Sequence, residues 1–186
     1  MYRRYETDRT LLRPYQSEDE WHQLNDRHMR MFNEHWGPLH SAMQPRLDGF
    51  RNTGGMGGEV STFVVVDKST GTVVGTEVYS FDYAGRAAYL GSWILEEHRG
   101  KGFGIEAKLL ATCHLFDNQQ LEWVLGITIG DHSRAIRGMQ LSGMRHLGIR
   151  PCIQYSRGSY QSTTFFGFSR RQWQEMDWQE KVRRGA

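Results

Sequence analysis

The sequence predicts one α+β domain with a mixed central sheet of about six or seven strands flanked by helices. First, residues 61–67 (STFVVVD) and 72–81 (TVVGTEVYSF) are β-branched runs joined by a turn, which indicates a hairpin. Second, residues 87–129 read as strand, glycine loop, amphipathic helix and strand, the order of a crossover between parallel strands. A hairpin followed by a single crossover favours α+β over a doubly wound sheet.

Length and composition indicate one soluble domain over residues 1–186. The 38% hydrophobic and 24% charged residues are ordinary for a globular protein. No run of about 18 apolar residues and no signal-peptide pattern is present, so we expect a cytoplasmic protein without a membrane partner. Neither the spacing of Cys113 and Cys152 nor that of the eight histidines matches a metal motif, so no metal is expected.

The first element is a short strand at residues 10–14 (TLLRP). Ser17 with Glu20 three residues later forms a capping box, which predicts a helix start. A helical stripe follows at Trp21, Leu24, His28, Met31 and Phe32. We interpret His28 as a packing residue at the edge of the core rather than as a ligand.

Breakers divide the segment that follows. Gly37, Pro38 and Pro45 predict a second, shorter helix. Residues 52–58 (NTGGMGG) have too much backbone freedom for regular structure. Two interpretations stay open for this run, a mobile flap over a substrate and a flexible connection.

The remaining elements follow in order. Residues 61–67 form a β-branched, nearly continuous run, as in a strand buried on both faces, and residues 87–95 form a third strand. A helical stripe falls at Ile105, Leu109, Cys113 and Phe116. A strand at 121–129, a helix from about Ser133 capped by that residue or Asp131, strands near 144–153 and 160–168, and a short helix capped by Ser169 close the domain. Residues 174–186 are expected to be a solvated basic tail.

The most informative segment is the loop at residues 94–105 (ILEEHRGKGFGI). Alternate glycines allow tight turns, so successive N–H groups converge at a helix start that adds unpaired donors and a positive dipole end. These features form a cradle suited to a pyrophosphate, with Arg99 and Lys101 at its rim. Neither the Walker nor the Rossmann spacing fits, and a plain structural turn needs one glycine rather than three.

Residues 99–104 (RGKGFG) resemble the R-x-x-G-x-G acyl-CoA loop of the GNAT acetyltransferases. The chain is similar to the branch of ribosomal-protein N-terminal acetyltransferases (RimJ/RimL-like), a resemblance strongest over residues 11–173. Further matches are residues 90–95 (LGSWIL) before the loop, 132–137 (HSRAIR) at the later helix, Gly143 with Met144, and the final strand and helix at 160–173.

The resemblance implies a GNAT acyl-CoA N-acyltransferase fold and acetyl-CoA as co-substrate. In that family two strands splay apart at a bulge, and the pantetheine arm lies between them. The resemblance places the backbones of Ile94 and Leu95 against the pantetheine amides, Arg99 near the phosphates, and His132 where an Asn usually touches the arm. The pyrophosphate would lie on the N–H groups of Gly100, Lys101, Gly102, Phe103, Gly104 and Ile105.

The catalytic groups of the family are not at their usual places. Tyr89 stands where many relatives have a Glu base, and Ala135 and Met139 stand where relatives have Ser or Tyr near the thiolate. The candidates that remain are His132, Tyr89, Glu77 and Ser133, with Asp82 and Ser92 as further substitutes. An imidazole is the side chain that ordinarily changes charge near neutral pH, which favours His132, although the residue also fits a packing role. Glu77 also fits a solvated strand position, and Tyr89 a pocket wall.

The hypothesis is an acetyl-CoA-dependent N-acetyltransferase that acts by direct attack of a primary amine of a protein N-terminus or small molecule. Two alternatives stay open: a catalytically weak acyl-CoA-binding module with a sensing or interaction role, and a GNAT-fold enzyme acting on nucleic acid. A net charge of +2 with scattered basic residues does not indicate a nucleic-acid partner. Both a homodimer and a monomer are compatible with the resemblance.

Overall fold

The computed structural model describes residues 4–36, 43–57, 60–130, 132–156 and 158–185. The helices are α1 (Glu18–Trp36), α2 (Met43–Thr53), α3 (Phe103–Asn118), α4 (Ser133–Leu141) and α5 (Arg170–Gln174). The strands are β1 (Arg4–Glu6), β2 (Thr10–Arg13), β3 (Val60–Asp67), β4 (Thr72–Asp82), β5 (Ala87–Ile94), β6 (Trp123–Ile129), β7 (Arg145–Ser156), β8 (Ser159–Ser169) and β9 (Arg183–Gly185).

The strands form one mixed sheet in the order β7-β8-β6-β5-β4-β3-β2-β1-β9, which confirms the predicted α+β class. Within the described residues only β5 and β6 pair in parallel, as expected for the crossover through α3. The described sheet has nine strands rather than six or seven, because β1 and β9 add one strand each. Each is three residues long, too short to show an alternating pattern in the sequence.

Helix α1 begins as the capping box predicts and covers one face of the sheet. The Ser17 hydroxyl accepts the Glu20 N–H at 3.1 Å, and the Glu20 carboxylate accepts the Gln16 N–H at 2.9 Å. Leu24 of this helix packs with Val64 and Val66 of β3. These strand residues are fully or nearly fully buried, because α1 covers one face of β3 and the main core lies on the other.

Helix α3 forms the core of the opposite face. Residues 107–116 of this helix are all buried, and they pack with Phe63 and Val65 of β3 and Val74 of β4. Full burial of an aliphatic side chain of this size contributes about 1.5–3 kcal/mol.

Helix α2 extends further than the sequence predicts. Asn52 and Thr53 lie in its last turn. Pro45 lies in its first turn, where backbone N–H groups have no helical acceptor, so the missing N–H of proline costs no hydrogen bond. The following segment is tied to β3, since the Gly55 carbonyl accepts the Thr62 N–H at 2.8 Å. Gly37, Pro38 and residue 58 lie outside the described residues.

The prediction that residues 174–186 form a solvated tail is wrong for residues 182–185. Strand β9 pairs antiparallel with β1, and Val182 before it is buried. Arg183 binds Asp8 at 2.8 Å, and Arg184 binds Asp117 of α3 at 2.5 Å. Composition alone did not reveal this strand, because its partners lie at the other end of the sequence.

The C-terminal contact predicts a stability difference between two arginines. The Arg184 side chain is 27% exposed and bound to Asp117, whereas Arg171 is 90% exposed in its pair with Glu175. We expect Arg184→Met to lower the free energy of unfolding by about 1–3 kcal/mol, and Arg171→Met by less than about 0.5 kcal/mol. Urea denaturation measures both, and equal effects would contradict the docking of β9.

His28 packs against the sheet, which confirms its interpretation as a packing residue. Its ring lies 4.2 Å from the Trp93 ring of β5, and burial, with Arg46 nearby, lowers the pKa of His28 from 6.5 to about 4. The folded state therefore holds this imidazole neutral under conditions in which the unfolded chain protonates it.

This burial predicts a loss of stability in acid. Between pH 6.5 and about 4 the unfolded state binds a proton that the folded state does not, so the contribution present above pH 6.5 is lost as the pH falls toward 4. The effect amounts to about 3 kcal/mol. His28→Phe keeps an aromatic ring and removes the titration, so its unfolding free energy, measured in urea at both ends of this range, should fall less. An unchanged pH dependence in the variant would refute a buried neutral imidazole.

Candidate active site

A cleft opens where the two parallel strands separate. Strand β5 pairs with β6 over residues 87–90 and 123–126, and the last pair is Leu90 with Gly126. Beyond this point lies a cleft of about 500 Å³, bordered by the end of β5, the glycine loop, the start of α3, the end of β6 and α4. The splayed strands that the sequence led us to expect are therefore present.

The strand edge along the cleft offers peptide groups that β6 no longer pairs. The Leu95 N–H donates to the Val74 carbonyl on the β4 side at 2.9 Å. Because successive residues of an antiparallel strand direct their peptide groups to opposite sides, those of Ser92 and Ile94 face the cleft. The register of β4 with β5 is unbroken, so the expected bulge in β5 is not seen and the strands part without one.

The glycine loop turns sharply into α3. Gly100 and Gly102 have φ of 75° and 86°, a region that side chains disfavour, and Gly102 is the N-cap of α3. The N–H groups of Phe103 and Gly104, in the first turn, lack intrahelical acceptors by position and border the cleft. Ile105 donates its N–H back to the Gly102 carbonyl at 3.0 Å.

Residues 7–10 form a clamp that holds this loop, and no sequence pattern predicts it. Arg9 donates to the Lys101 carbonyl at 2.8 Å and binds the Glu106 carboxylate at 2.6 Å. Thr7 and Thr10 donate to the same carboxylate at 2.8 and 2.6 Å. More than 90 residues separate the two sides of this network, so no local pattern predicts it.

Most residues predicted to hold the cofactor do border the cleft. They are Ile94, Arg99, Gly100, Gly102, Phe103, Gly104, Ile105 and His132. Leu95 does not, since its N–H bonds to Val74, its carbonyl accepts the His98 N–H at 2.9 Å, and its side chain is buried. Lys101 also turns away, with Nζ 3.1 Å from the Glu97 carbonyl.

The Arg99 side chain is bonded to neighbouring groups of the loop and does not extend freely from the rim of the cleft. Its Nε donates to the Ile94 carbonyl at 3.1 Å, and its Nη1 lies 3.7 Å from Glu96. The guanidinium therefore closes the backbone turn between β5 and α3 and adds positive charge beside the cradle.

Helix α4 brings a second group of residues to the cleft. His132 borders it at the N-cap position, with Nδ1 3.2 Å from the Thr128 hydroxyl. Ser133 is the first helical residue, exposed and outside the cleft lining, so it is not the predicted cap. The alternative cap Asp131 lies outside the described residues. Arg134 and Arg137 border the cleft and were missed, because isolated arginines on a short helix resemble solvated surface.

Two further predicted catalytic residues, Tyr89 and Glu77, lie away from the cleft lining, as Ser133 does. Tyr89 pairs with Leu125 of β6, on the face of β5 opposite Leu90, which packs in the α3 core. Glu77 lies beneath α3 and is completely buried, so its interpretation as a solvated strand residue is wrong. Burial raises the pKa of Glu77, an effect that Lys108 and the Ser92 hydroxyl partly offset. Asp82 accepts the Gly85 N–H in a turn.

Lys108 of α3 joins Glu77 to the cleft. Its Nζ donates to the Ser92 hydroxyl at 2.7 Å and lies 4.0 Å from the Glu77 carboxylate. Lys108 and Ser92 border the cleft, as do Ala135 and Met139 at the positions where the resemblance places Ser or Tyr. The stripe of α3 gave no signal for Lys108, because a single lysine on a helix is usually exposed.

The residues present suit a long ligand with an anionic end. Phe103 and Gly104 offer helix N–H groups to an anion, while Ser92 and Ile94 offer a peptide edge to an amide-bearing arm. A Cβ on Gly104 would lie only 3.3 Å from Ile94, so the passage between helix and strand is narrow. Among the described residues, no His, Cys, Asp and Glu side chains are grouped closely enough to hold a metal ion. No helix formed by the described residues is both long and apolar enough to cross a membrane.

Solved structures share this fold at low sequence identity. A GNAT-family acetyltransferase from Bacillus anthracis matches with a TM-score of 0.73 and 15% identity, over 89% of this chain and 98% of that chain. A spermidine N-acetyltransferase from Vibrio cholerae, solved with CoA and spermine, matches with a TM-score of 0.73 and 19% identity over the same shares. A ribosomal-protein-S5-alanine acetyltransferase from Vibrio fischeri gives 0.69 and 21% identity, over 91% of this chain and 98% of that chain.

No curated protein sequence gives a significant match to the chain. The family model of the acetyltransferase (GNAT) domain matches residues 9–145, which include the diverging strands, the glycine loop, α3 and α4. Since the matched region is well over half of the 186 residues, the chain belongs to the GNAT acetyltransferase family.

Proposed function

We propose that the protein is an acetyl-CoA-dependent N-acetyltransferase of the RimJ/RimL-like branch, which transfers the acetyl group to a primary amine. The observation that carries this proposal is the cleft between β5 and β6, with the glycine-capped start of α3 at one end. No described feature other than this cleft combines converging N–H donors with an exposed strand edge.

The cofactor roles follow from the placement of each group. The N–H groups of Gly102, Phe103 and Gly104 hold the diphosphate, with positive charge from Arg99 and from α4. The peptide groups of Ser92 and the N–H of Ile94 bind the pantetheine amides as an added strand would, while the Ile94 carbonyl accepts from Arg99. In this assignment Ser92 replaces Leu95, whose peptide groups are already used.

The reaction is direct attack of a neutral amine on the thioester carbonyl carbon. A strand N–H beside the cleft polarises the carbonyl, and positioning of the two reactants supplies much of the rate. Two described imidazoles border the cleft, His98 in the loop of residues 94–105 and His132 at the N-cap of α4. His132 is our candidate for accepting the amine proton through water. Tyr89 lies on the opposite sheet face, so we assign it to the wall of the acceptor side.

The acceptor is a single primary amine, as at a protein N-terminus or on a small molecule. Matched structures include enzymes named for a ribosomal protein and for spermidine. In this chain Glu18, Glu20 and Glu97 are each paired with an arginine, which reduces the attraction of these described carboxylates for a polycation. That pairing favours a monoamine, including a peptide N-terminus, over a polyamine.

A turnover assay with thiol detection tests the function. We expect free CoA to appear only when acetyl-CoA is combined with an amine, and N-terminal peptides to outperform spermidine. If the protein binds CoA but no amine of a broad panel causes CoA release, acetyl transfer is refuted and the acyl-CoA-binding module is supported. Salt-dependent binding of RNA or DNA would favour the nucleic-acid alternative.

A glycine substitution tests the cradle itself. In Gly104→Val the added atoms enter the narrow gap beside Ile94, so we expect CoA affinity to fall roughly tenfold or more. Gly49→Val is the matched control, because a Cβ there meets nothing within 4 Å. Calorimetric titration with CoA measures both variants, and equal affinities would place the diphosphate elsewhere.

A further inference from the structure

We propose that Lys108 is the general acid that protonates the departing CoA thiolate, held in place by Ser92 and Glu77. This inference rests on the proposed acetyltransferase function and assigns a proton donor that the sequence did not reveal. It concerns a buried ionic cluster formed by these three residues, one each from α3, β5 and β4.

The Lys108 side chain reaches the cleft from beneath. It is only 9% exposed, yet it borders the cleft and donates to the Ser92 hydroxyl at 2.7 Å. Glu77, completely buried, lies 4.0 Å from the same ammonium. His132, Arg134 and Arg137 border the cleft from α4, and His98 and Arg99 border it from the loop.

Stability alone does not explain this cluster. A buried ion pair is often no more stabilising than apolar residues of similar volume, and this pair is loose. The Ser92 hydroxyl faces Glu77, but neither carboxylate oxygen makes a hydrogen bond of standard geometry. Imperfectly satisfied charges beside a cleft are typical of functional sites, where the charge acts on a ligand.

The position suits the thiol end of the cofactor. The arm enters at Gly102 and follows the strand edge from Ile94 through Ser92 toward Leu90, a path of about 13 Å at the usual strand rise. Lys108 lies about 8 Å along α3 from its first residue, under the middle of that path. The family positions that would supply a proton hold Ala135 and Met139 here, and neither can donate.

The proton balance closes with Lys108 as donor. The amine nitrogen bonds to the acetyl carbon, and the carbon–sulfur bond breaks with its electron pair leaving on sulfur. The Lys108 ammonium gives a proton to that sulfur and becomes a neutral amine. The proton released by the attacking nitrogen passes through water to His132 and then to solvent, from which Lys108 is protonated again. Glu77 is a positioning residue that favours the charged lysine between turnovers.

The first test measures the thiol of bound CoA rather than turnover. An adjacent ammonium stabilises the thiolate, so ultraviolet titration of CoA bound to the wild-type protein should give a lower thiol pKa than free CoA. We expect Lys108→Met to raise the pKa of the bound thiol back to the free value. Lys181→Met, remote from the cleft, is the matched control and should match the wild type. An equal bound-thiol pKa in the wild type and Lys108→Met would overturn the inference.

The second test distinguishes proton donation by Lys108 from stabilisation of the thiolate by its positive charge alone. Lys108→Arg keeps the positive charge but cannot release its proton, so it should keep the lowered thiol pKa while kcat falls about 100-fold or more, as in Lys108→Met. The affinity for acetyl-CoA should stay within about threefold of wild type in each variant, as should the thermal midpoint within a few degrees. Wild-type kcat in Lys108→Arg would overturn the role as acid.

The failures of the two proposals are distinguishable. If the wild-type protein binds no CoA and releases none, the proposed function itself fails. If the wild type turns over and Lys108→Met turns over equally fast, only the assignment of Lys108 fails. Glu77→Gln offers a further check, because loss of the carboxylate disfavours the charged lysine and should move the alkaline arm of the pH profile for kcat to lower pH without changing CoA affinity.

Discussion

The separation of β5 from β6 after Leu90 and Gly126 is the constraint on which the site depends. Two adjacent parallel strands normally satisfy each other's peptide groups, and strands that part inside a sheet leave donors and acceptors without strand partners. The fold tolerates this because the strands on either side remain fully paired, β5 with β4 and β6 with β8. A ligand with its own amides can then take the place of the missing strand contacts, which gives specificity for an extended amide-bearing arm.

The elements around this gap are brought in by close backbone approaches. A Cβ on Gly126 would lie 2.5 Å from the Met139 sulfur, so a glycine lets α4 pack directly on β6. A Cβ on Gly75 would lie 2.1 Å from the Trp93 carbonyl, so a second glycine lets the end of β5 stay against β4. The network of Arg9 and Glu106 then holds the loop from the other side. The cradle is thus set by packing between distant segments, and only its glycines are a local property.

This division explains what the sequence could reveal. The capping box at Ser17, the cap at Ser169 and the glycine loop depend on neighbours within a few residues, and each is found where predicted. Strand β9, the Arg9 network and the direction of the Leu95 peptide depend on partners far away in sequence or on strand register. Glu77 was misjudged for the same reason, since an acidic residue in a strand indicates a solvated face unless the helix above it is known.

The ionic cluster of Lys108, Ser92 and Glu77 lies at the boundary between core and cleft. Stability of the core favours an apolar residue there, whereas action on a bound ligand requires a charge. An apolar residue at position 108 would suit the α3 core, whose neighbouring residues are buried throughout. A charged group there has a desolvation cost that the loose Glu77 contact only partly offsets. In water the same ammonium would act weakly on a nearby sulfur, because high dielectric and mobile solvent screen it. Beneath an apolar wall its charge acts at low dielectric, so the burial that disfavours the cluster in folding is what makes it effective toward a bound thiolate.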